Sequence, residues 1–276
     1  MFVKGIGKNP GVRGIEIDDP CDPRVSDYVG LRDADLREGV EASLGIFIAE
    51  GTNVVRRLFS SPYRARSVLV TPQKYERLAA ELDPLDAPVY VASRDVMAAV
   101  AGFDIHRGVV AAADRRADPG LDEVLRDAKT VVVLEGLNDQ ENLGAIIRSA
   151  RGLGADALVL DSRCADPFYR RVVRVSMGEV LFLPVTRVDG WPDGLDAVRA
   201  AGFTVAALTP DDRAVSLFDW RPPPLVALLL GAEGPGLSQA ALARADIRLR
   251  IPIRPDVDSL NVGHAAAIAL AFVSAG

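Results

Sequence analysis

The sequence predicts an α/β protein in two parts, and three observations carry that expectation. Short apolar runs alternate with helical stretches along most of the chain. A polar, proline-containing segment near residue 116 interrupts the pattern. In the C-terminal half, three apolar runs give way to helices through segments rich in glycine, asparagine and acidic residues. With 276 residues, 49% of them hydrophobic, the chain is long enough to bury the cores of two ordinary domains.

In the N-terminal part, helical spacing from Gly39 to Ser60 predicts a helix. Ser67 to Val70 reads as a strand, Gln73 to Leu82 as a helix and Val89 to Val91 as a second strand. Arg94 to Val100 then predicts a short helix, and Gly108 to Ala111 a third strand. The stretch Asp114 to Gly120 reads as a linker leading to a helical segment, Leu121 to Ala128. These divisions set a domain at residues 1–115, a linker at 116–128 and a second domain at 129–276.

The second domain shows apolar runs at Val131 to Leu134, Ala157 to Leu160, Leu181 to Pro184, Thr204 to Leu208, Leu225 to Leu230 and Ile247 to Ile251. Short, almost uniformly apolar strands separated by helices are what a parallel sheet covered on both faces requires. Pro222, Pro223 and Pro224 deliver an extended chain into the fifth run.

A net charge of −6 argues against coating nucleic acid through bulk positive charge, but leaves room for local patches. Arginines gather at Arg56 and Arg57, at Arg64 and Arg66, at Arg115 and Arg116, and at Arg170, Arg171 and Arg174. Cys21, Cys164, His106 and His264 are too scattered for a zinc site or a disulfide framework, so no metal is expected and a reducing cytoplasm fits. The opening MFVKGIGKNP lacks the apolar core of a signal peptide, and no stretch reads as a membrane span.

Neither a Walker A sequence nor a GxGxxG follows the first strand of the second domain. Instead Leu134 to Asn142 leads into a helix for which Asn142 is the natural N-cap. Arg148 follows on that helix, and its long side chain, leaning towards the N-terminus, is expected to approach the same strand-end cleft. Gly231 to Gly236 contains three glycines around Glu233. Such a loop exposes backbone amides and suits a ligand with positive or hydrogen-donating groups better than a polyphosphate. A third segment, Ile251 to Asn261, enters the Ala-rich helix Val262 to Ala275, for which Ser259 or Asn261 is a candidate cap.

These three segments resemble the motifs of the SpoU, or TrmH-like, branch of the SPOUT RNA methyltransferases. The resemblance runs from about Thr130 to the C terminus and includes Arg174 to Gly178 and Leu183 with Pro184. The N-terminal part is similar to the ribosomal-protein-like RNA-binding module that often precedes that domain, through Gly45 to Gly51 and His106 to Val109. The implied fold is a SPOUT domain with a parallel sheet and a deep trefoil knot, preceded by a smaller α/β RNA-binding domain. The implied activity is S-adenosylmethionine-dependent methylation of a ribose 2′-hydroxyl in structured RNA by a homodimer.

Carried over by motif, Asn142, Arg148, Glu233, Ser259 and Asn261 are the expected catalytic residues. The cofactor is expected against Leu208, Thr209, Gly231, Glu233, Gly236, Ile251 and Leu260, and RNA against Arg56, Arg57, Arg64, Arg170 and Arg174. A guanidinium almost never gives up its proton, so Arg148 is expected to bind and orient the target phosphate and hydroxyl. Ala232 stands where the family often has Asn or Ser, and His264 where an apolar residue is usual; His264 is read as structural. Ribosomal RNA is the favoured substrate because of the separate N-terminal module. A transfer RNA enzyme and an antibiotic-resistance methyltransferase fit the same motifs, whereas a base methyltransferase or a noncatalytic RNA-binding protein fits them less well.

Overall fold

The computed structural model of the protein describes residues 14–32, 41 and 43–275. The opening decapeptide and the first part of the Gly39 to Ser60 helical reading lie outside the described residues or straddle their edge.

Five strands form the N-terminal sheet: β1 (Ile15–Ile17), β2 (Ile46–Glu50), β3 (Ala65–Val70), β4 (Val89–Ala92) and β5 (Val109–Asp114), in the order β1-β4-β3-β5-β2. Helices α1 (Thr52–Ser60), α2 (Pro72–Leu82) and α3 (Arg94–Ala101) connect them. Local chemistry sets the helix ends. Thr71 caps α2 ahead of Pro72, Ser93 caps α3, and left-handed Gly102 ends it. The helical reading across Ile46 to Glu50 is corrected: all five residues are buried and form β2. A fully buried strand carries no polar alternation to separate it from a helix, and Gly51, at φ +93°, is the break that the periodicity did not register.

After α4 (Leu121–Leu125), the second sheet is built from β6 (Thr130–Glu135), β7 (Ala157–Asp161), β8 (Val185–Val188), β9 (Thr204–Leu208), β10 (Val215–Ser216), β11 (Val226–Gly231) and β12 (Ile247–Arg250). Their order is β10-β12-β9-β11-β6-β7-β8, and every neighbouring pair is parallel. The covering helices are α5 (Gln140–Gly152), α6 (Arg170–Val175), α7 (Gly194–Ala200), α8 (Gln239–Arg244) and α9 (Val262–Ala275). Leu181 to Pro184 is not a strand, because Met177 and Gly178 both take positive φ and turn the chain into a short 3-10 helix, Glu179–Leu181. Pro184 has no N–H to give a ladder, so β8 starts one residue later.

Alternation along β6 shows how the sheet is buried. Val132 and Leu134 face the core shared with α5, α9 and the N-terminal sheet, while Val131 and Val133 face the core over α4 and α7. Val124, Leu125 and Ala128 sit in that second core, so the helical end of the expected linker is packed. The two sheets meet through Phe47, Tyr63 and Phe168, whose ring centroids lie 5.3–5.5 Å apart, and through the Arg115–Asp166 pair at 2.5 Å. Each such aromatic pair adds about 0.5–1.5 kcal/mol beyond area burial.

Helix α5 reaches α6 closely because Gly144 has no side chain. A methyl there would lie 2.6 Å from Val175 Cβ and 3.2 Å from the Ser176 amide. Gly144→Val is therefore expected to cost about 1–3 kcal/mol through overpacking. Urea denaturation followed by far-UV circular dichroism should show a lowered midpoint, and an unchanged midpoint would contradict this packing.

Candidate active site

All strands of the second sheet run the same way, so the loops after β6, β11 and β12 emerge on one rim. Glu135, ending β6, stands in register beside Gly231, ending β11. The chain leaves β8 at one edge and returns as β9 beyond β6 and β11, which makes this rim a switch point where open α/β sheets bind ligands.

The helix after β6 is capped by Asp139, whose carboxylate accepts from the Asn142 amide at 2.7 Å. The expected cap at Asn142 is corrected, since α5 begins two residues before it. Asp139 satisfies the free helix amide, which releases the Asn142 side chain for the rim. Asn261 Nδ2 donates to Asn142 Oδ1 at 2.8 Å and to Glu233 Oε1 at 2.6 Å. Asn261 Oδ1 accepts from the Gly263 and His264 amides, at 2.9 and 3.2 Å, and so caps α9. One side chain thus joins the three segments. His264 is exposed and contributes its backbone amide to the cap.

The glycine-rich loop curls back on its own strand. A Cβ at Gly231 would fall 2.3 Å from the Gly236 carbonyl carbon and 2.4 Å from the Leu237 amide, a collision with backbone that excludes any side chain. Gly234 and Gly236 take φ values of +84° and +65°, and the Gly236 amide donates to the Ala232 carbonyl. Between this loop and the segment after β12 lies a cleft of about 990 Å³. Its walls include all seven residues expected at the cofactor, Leu208, Thr209, Gly231, Glu233, Gly236, Ile251 and Leu260, together with Ser259 and Asn261.

Arg148 is not brought to the cleft wall. Six residues beyond Asn142 is about 9 Å along the axis and a third of a turn around it. The exposed side chain leaves α5 between Gly144, which meets α6, and Ala145, which meets α9, and makes no hydrogen bond or ion pair among the described residues. Two of the arginines expected at RNA are engaged inside the protein. Arg170 pairs with Glu50, donates to the Leu31 carbonyl at 3.1 Å and lies over the Phe103 ring. Arg57 pairs with Glu179 at 2.7 Å and donates to the Met177 carbonyl. Arg56 pairs with Glu81 at 2.8 Å in solvent, while Arg64 and Arg174 are exposed without such partners among the described residues. Membership of a basic cluster could not separate these cases, because each acidic partner of Arg170 and Arg57 is more than a hundred residues away.

Comparison with known proteins decides the family. Residues 129–271 match the model of the SpoU rRNA Methylase family, and residues 48–119 match that of RNA 2′-O ribose methyltransferase substrate binding. The chain belongs to the SpoU rRNA methylase family. An uncharacterized tRNA/rRNA methyltransferase of Mycobacterium tuberculosis is 44% identical over 93% of this chain and 91% of its own. A 23S rRNA (guanosine(2553)-2′-O)-methyltransferase of Bacillus subtilis is 29% identical over 80% of this chain and 86% of its own. An AdoMet-bound rRNA methyltransferase crystal structure from Sinorhizobium meliloti superposes with a TM-score of 0.80 at 27% identity, covering 95% of this chain and 98% of that one.

Sequence reasoning missed three charged groups around this SpoU site. Glu135 and Asp161, both buried, end β6 and β7, and Arg250 ends β12 with its Nε buried beside the cleft, unpartnered among the described residues. An acid or base closing an otherwise apolar run at the carboxyl end of a parallel strand was the available signal. Burial alone would raise the Asp161 carboxyl. Hydrogen bonds from the Gly136 amide, Cys164 and Arg163, with the charge of Arg163, outweigh it and hold the group below the usual carboxylate range. The neighbouring Cys164 thiol is pushed up to about 12, first by burial and then by Asp161.

A lowered folded pKa means that Asp161 contributes stability above the ordinary carboxylate range and loses it as pH falls through the lowered value. Asp161→Asn is expected to destabilise the protein at neutral pH by about 1–3 kcal/mol, because the donors on one of the two oxygens meet an NH2 instead of an acceptor and the negative charge beside Arg163 is lost. Thermal melts of both proteins should converge as pH drops into and below the carboxylate range. A difference independent of pH would contradict the assignment.

Proposed function

We propose that the protein transfers a methyl group from S-adenosylmethionine to a ribose 2′-hydroxyl of ribosomal RNA. The observation that carries this reading is the Asn261 amide joining three strand ends beside a cleft of about 990 Å³. The residues present suit the cofactor. Gly231 lets the glycine-rich loop fold back onto β11, so that the backbone from Gly231 to Gly236 lines the cleft, and Glu233 would offer negative charge to a sulfonium or an amino group. The buried Arg250 Nε, unpartnered among the described residues, is a donor that a carboxylate or ribose oxygen would satisfy.

When bound, the cofactor supplies an electrophilic methyl group; the chain's own work is positioning. Asn142, Asn261 and Glu233 hold one another and so fix the polar wall on which the target ribose is to be oriented. Ser259 adds a hydroxyl to that wall. Arg148, exposed and without a hydrogen bond or ion pair among the described residues, lies about 9 Å along α5 from Asn142 and is suited to a phosphate flanking the target nucleotide, to which a guanidinium donates. Proton removal then falls to a phosphate oxygen or water. Arg64 and Arg174 offer further phosphate contacts.

A homodimer belongs to this proposal, as does the family's trefoil knot. Helix α9 is apolar on nearly all sides, yet Ile268, Phe272 and Val273 are only partly covered, and Phe218, packed edge-on against Phe272, is 57% exposed. A helix of that composition is normally buried, and a second copy of the chain would cover it. Ribosomal rather than transfer RNA is favoured by the stated substrates of the Bacillus subtilis and Sinorhizobium meliloti relatives and by the matched substrate-binding segment.

Mapping 2′-O-methyl groups across total RNA from cells with and without the protein should reveal one lost site in ribosomal RNA, restored by the wild-type chain. Arg148→Ala should lower kcat/KM on that RNA by about 100-fold, the scale for removing an electrostatic positioning group. Cofactor affinity should stay unchanged. Loss of a site in transfer RNA, or full activity of Arg148→Ala, would overturn the corresponding part of this reading.

A further inference from the structure

Glu135 is only 3% exposed and is not among the residues that line the cleft. Its two oxygens divide three donors between separate parts of the domain. Oε2 accepts from the Ser238 amide at 2.8 Å, and Oε1 accepts from the Trp191 indole N–H at 2.7 Å and from Arg163 at 3.3 Å. Ser238 directly follows the glycine-rich loop, and its hydroxyl caps α8 by accepting from the Ala241 amide. Trp191 lies in the turn between β8 and α7. On the Arg163 side, Asp161 accepts from the same guanidinium at 2.8 Å, so the arginine keeps a partner even without Glu135.

We propose that Glu135 is a positioning residue that clamps the far end of the glycine-rich loop and couples that loop to Trp191. This rests on the methyltransferase reading and adds to it. The near end of the loop is already fixed, because Gly231 is a residue of β11 paired with Glu135 on β6. The Ser238 bond fixes the other end to the same residue, so a single side chain closes the loop that walls the cleft. A carboxylate suits this task because it accepts on both oxygens, and charge-assisted bonds in a buried setting are short and strong. A ligand seated against Glu233 to Leu237 bears on the Ser238–Glu135 bond, and the shared carboxylate passes the change to the indole.

Glutamine keeps the shape and breaks the chemistry. Its amide can turn an oxygen to Trp191 or to Ser238 but must offer an N–H to the other, setting donor against donor. The chain has two tryptophans, so Trp220→Phe leaves Trp191 as its one indole reporter. In the full-length Trp220→Phe protein, S-adenosylmethionine is titrated in parallel by calorimetry and fluorescence. Trp191 emission is expected to change with the same Kd as the heat.

Adding Glu135→Gln should raise that Kd about tenfold, as for a lost charge-assisted bond, abolish the emission change, and leave kcat at saturating cofactor within about threefold. Trp191→Phe, which spares the Ser238 bond, should keep Kd within about threefold of wild type. A folded Glu135→Gln protein with the wild-type Kd overturns the proposal. So does an unchanged Trp191 emission through calorimetric saturation, a result that stands even if Glu135→Gln fails to fold. If the protein with Glu135 intact gives no heat at all, the cofactor reading falls as well, and that outcome is distinct from the other two.

Discussion

The site depends on the bonding capacity of one amide. Asn261 uses both Nδ2 hydrogens to tie Asn142 and Glu233 together and its oxygen to cap α9, so three loops from distant parts of the chain share one fixed point. No carboxylate could do this, because it has no hydrogen to give, and no lysine could, because it cannot accept. The arrangement works only because the sheet is parallel. Parallel strands send every carboxyl end to one rim, and the crossover from β8 to β9 opens that rim beside β6 and β11.

Charge is divided between construction and recognition. The net charge is −6, and Arg57, Arg115 and Arg170 are engaged between the N-terminal and C-terminal parts. Together with Phe47, Tyr63 and Phe168 they seat the first sheet against α6 and the turn that follows it. The residues matched to RNA substrate binding are thereby held at a set position relative to the cleft. Arg64, Arg148 and Arg174 remain at the surface, where phosphate contacts would add affinity without specifying a base.

Much of this was legible in the sequence wherever a single local rule governed. The runs from Val131, Ala157, Thr204, Leu225 and Ile247 became β6, β7, β9, β11 and β12 because buried parallel strands are short and apolar. Helix α9 has the bounds that its Ala-rich pattern gives. The rule failed at Ile46 to Glu50, where burial on both faces erased the alternation, and at Leu181 to Pro184, where two positive-φ residues redirected an equally apolar run. At the site, the residues lining the cleft followed from the motifs, while the cap at Asp139 was displaced by three positions onto Asn142. Glu135 was passed over because Ser238 and Trp191 become its neighbours only when the chain folds, and Asp161 because its local pairing with Arg163 gives no sign of the Gly136 amide that the fold brings to it.

The loops after β9, β11 and β12 are proposed to form one binding surface for S-adenosylmethionine. Amide hydrogen exchange with and without the cofactor tests it most directly. Residues 208–212, 231–237 and 250–261 are expected to gain protection together, at cofactor concentrations following one binding curve, with no change in the N-terminal sheet. Protection confined to one of the three loops, or appearing in the N-terminal sheet instead, would contradict it.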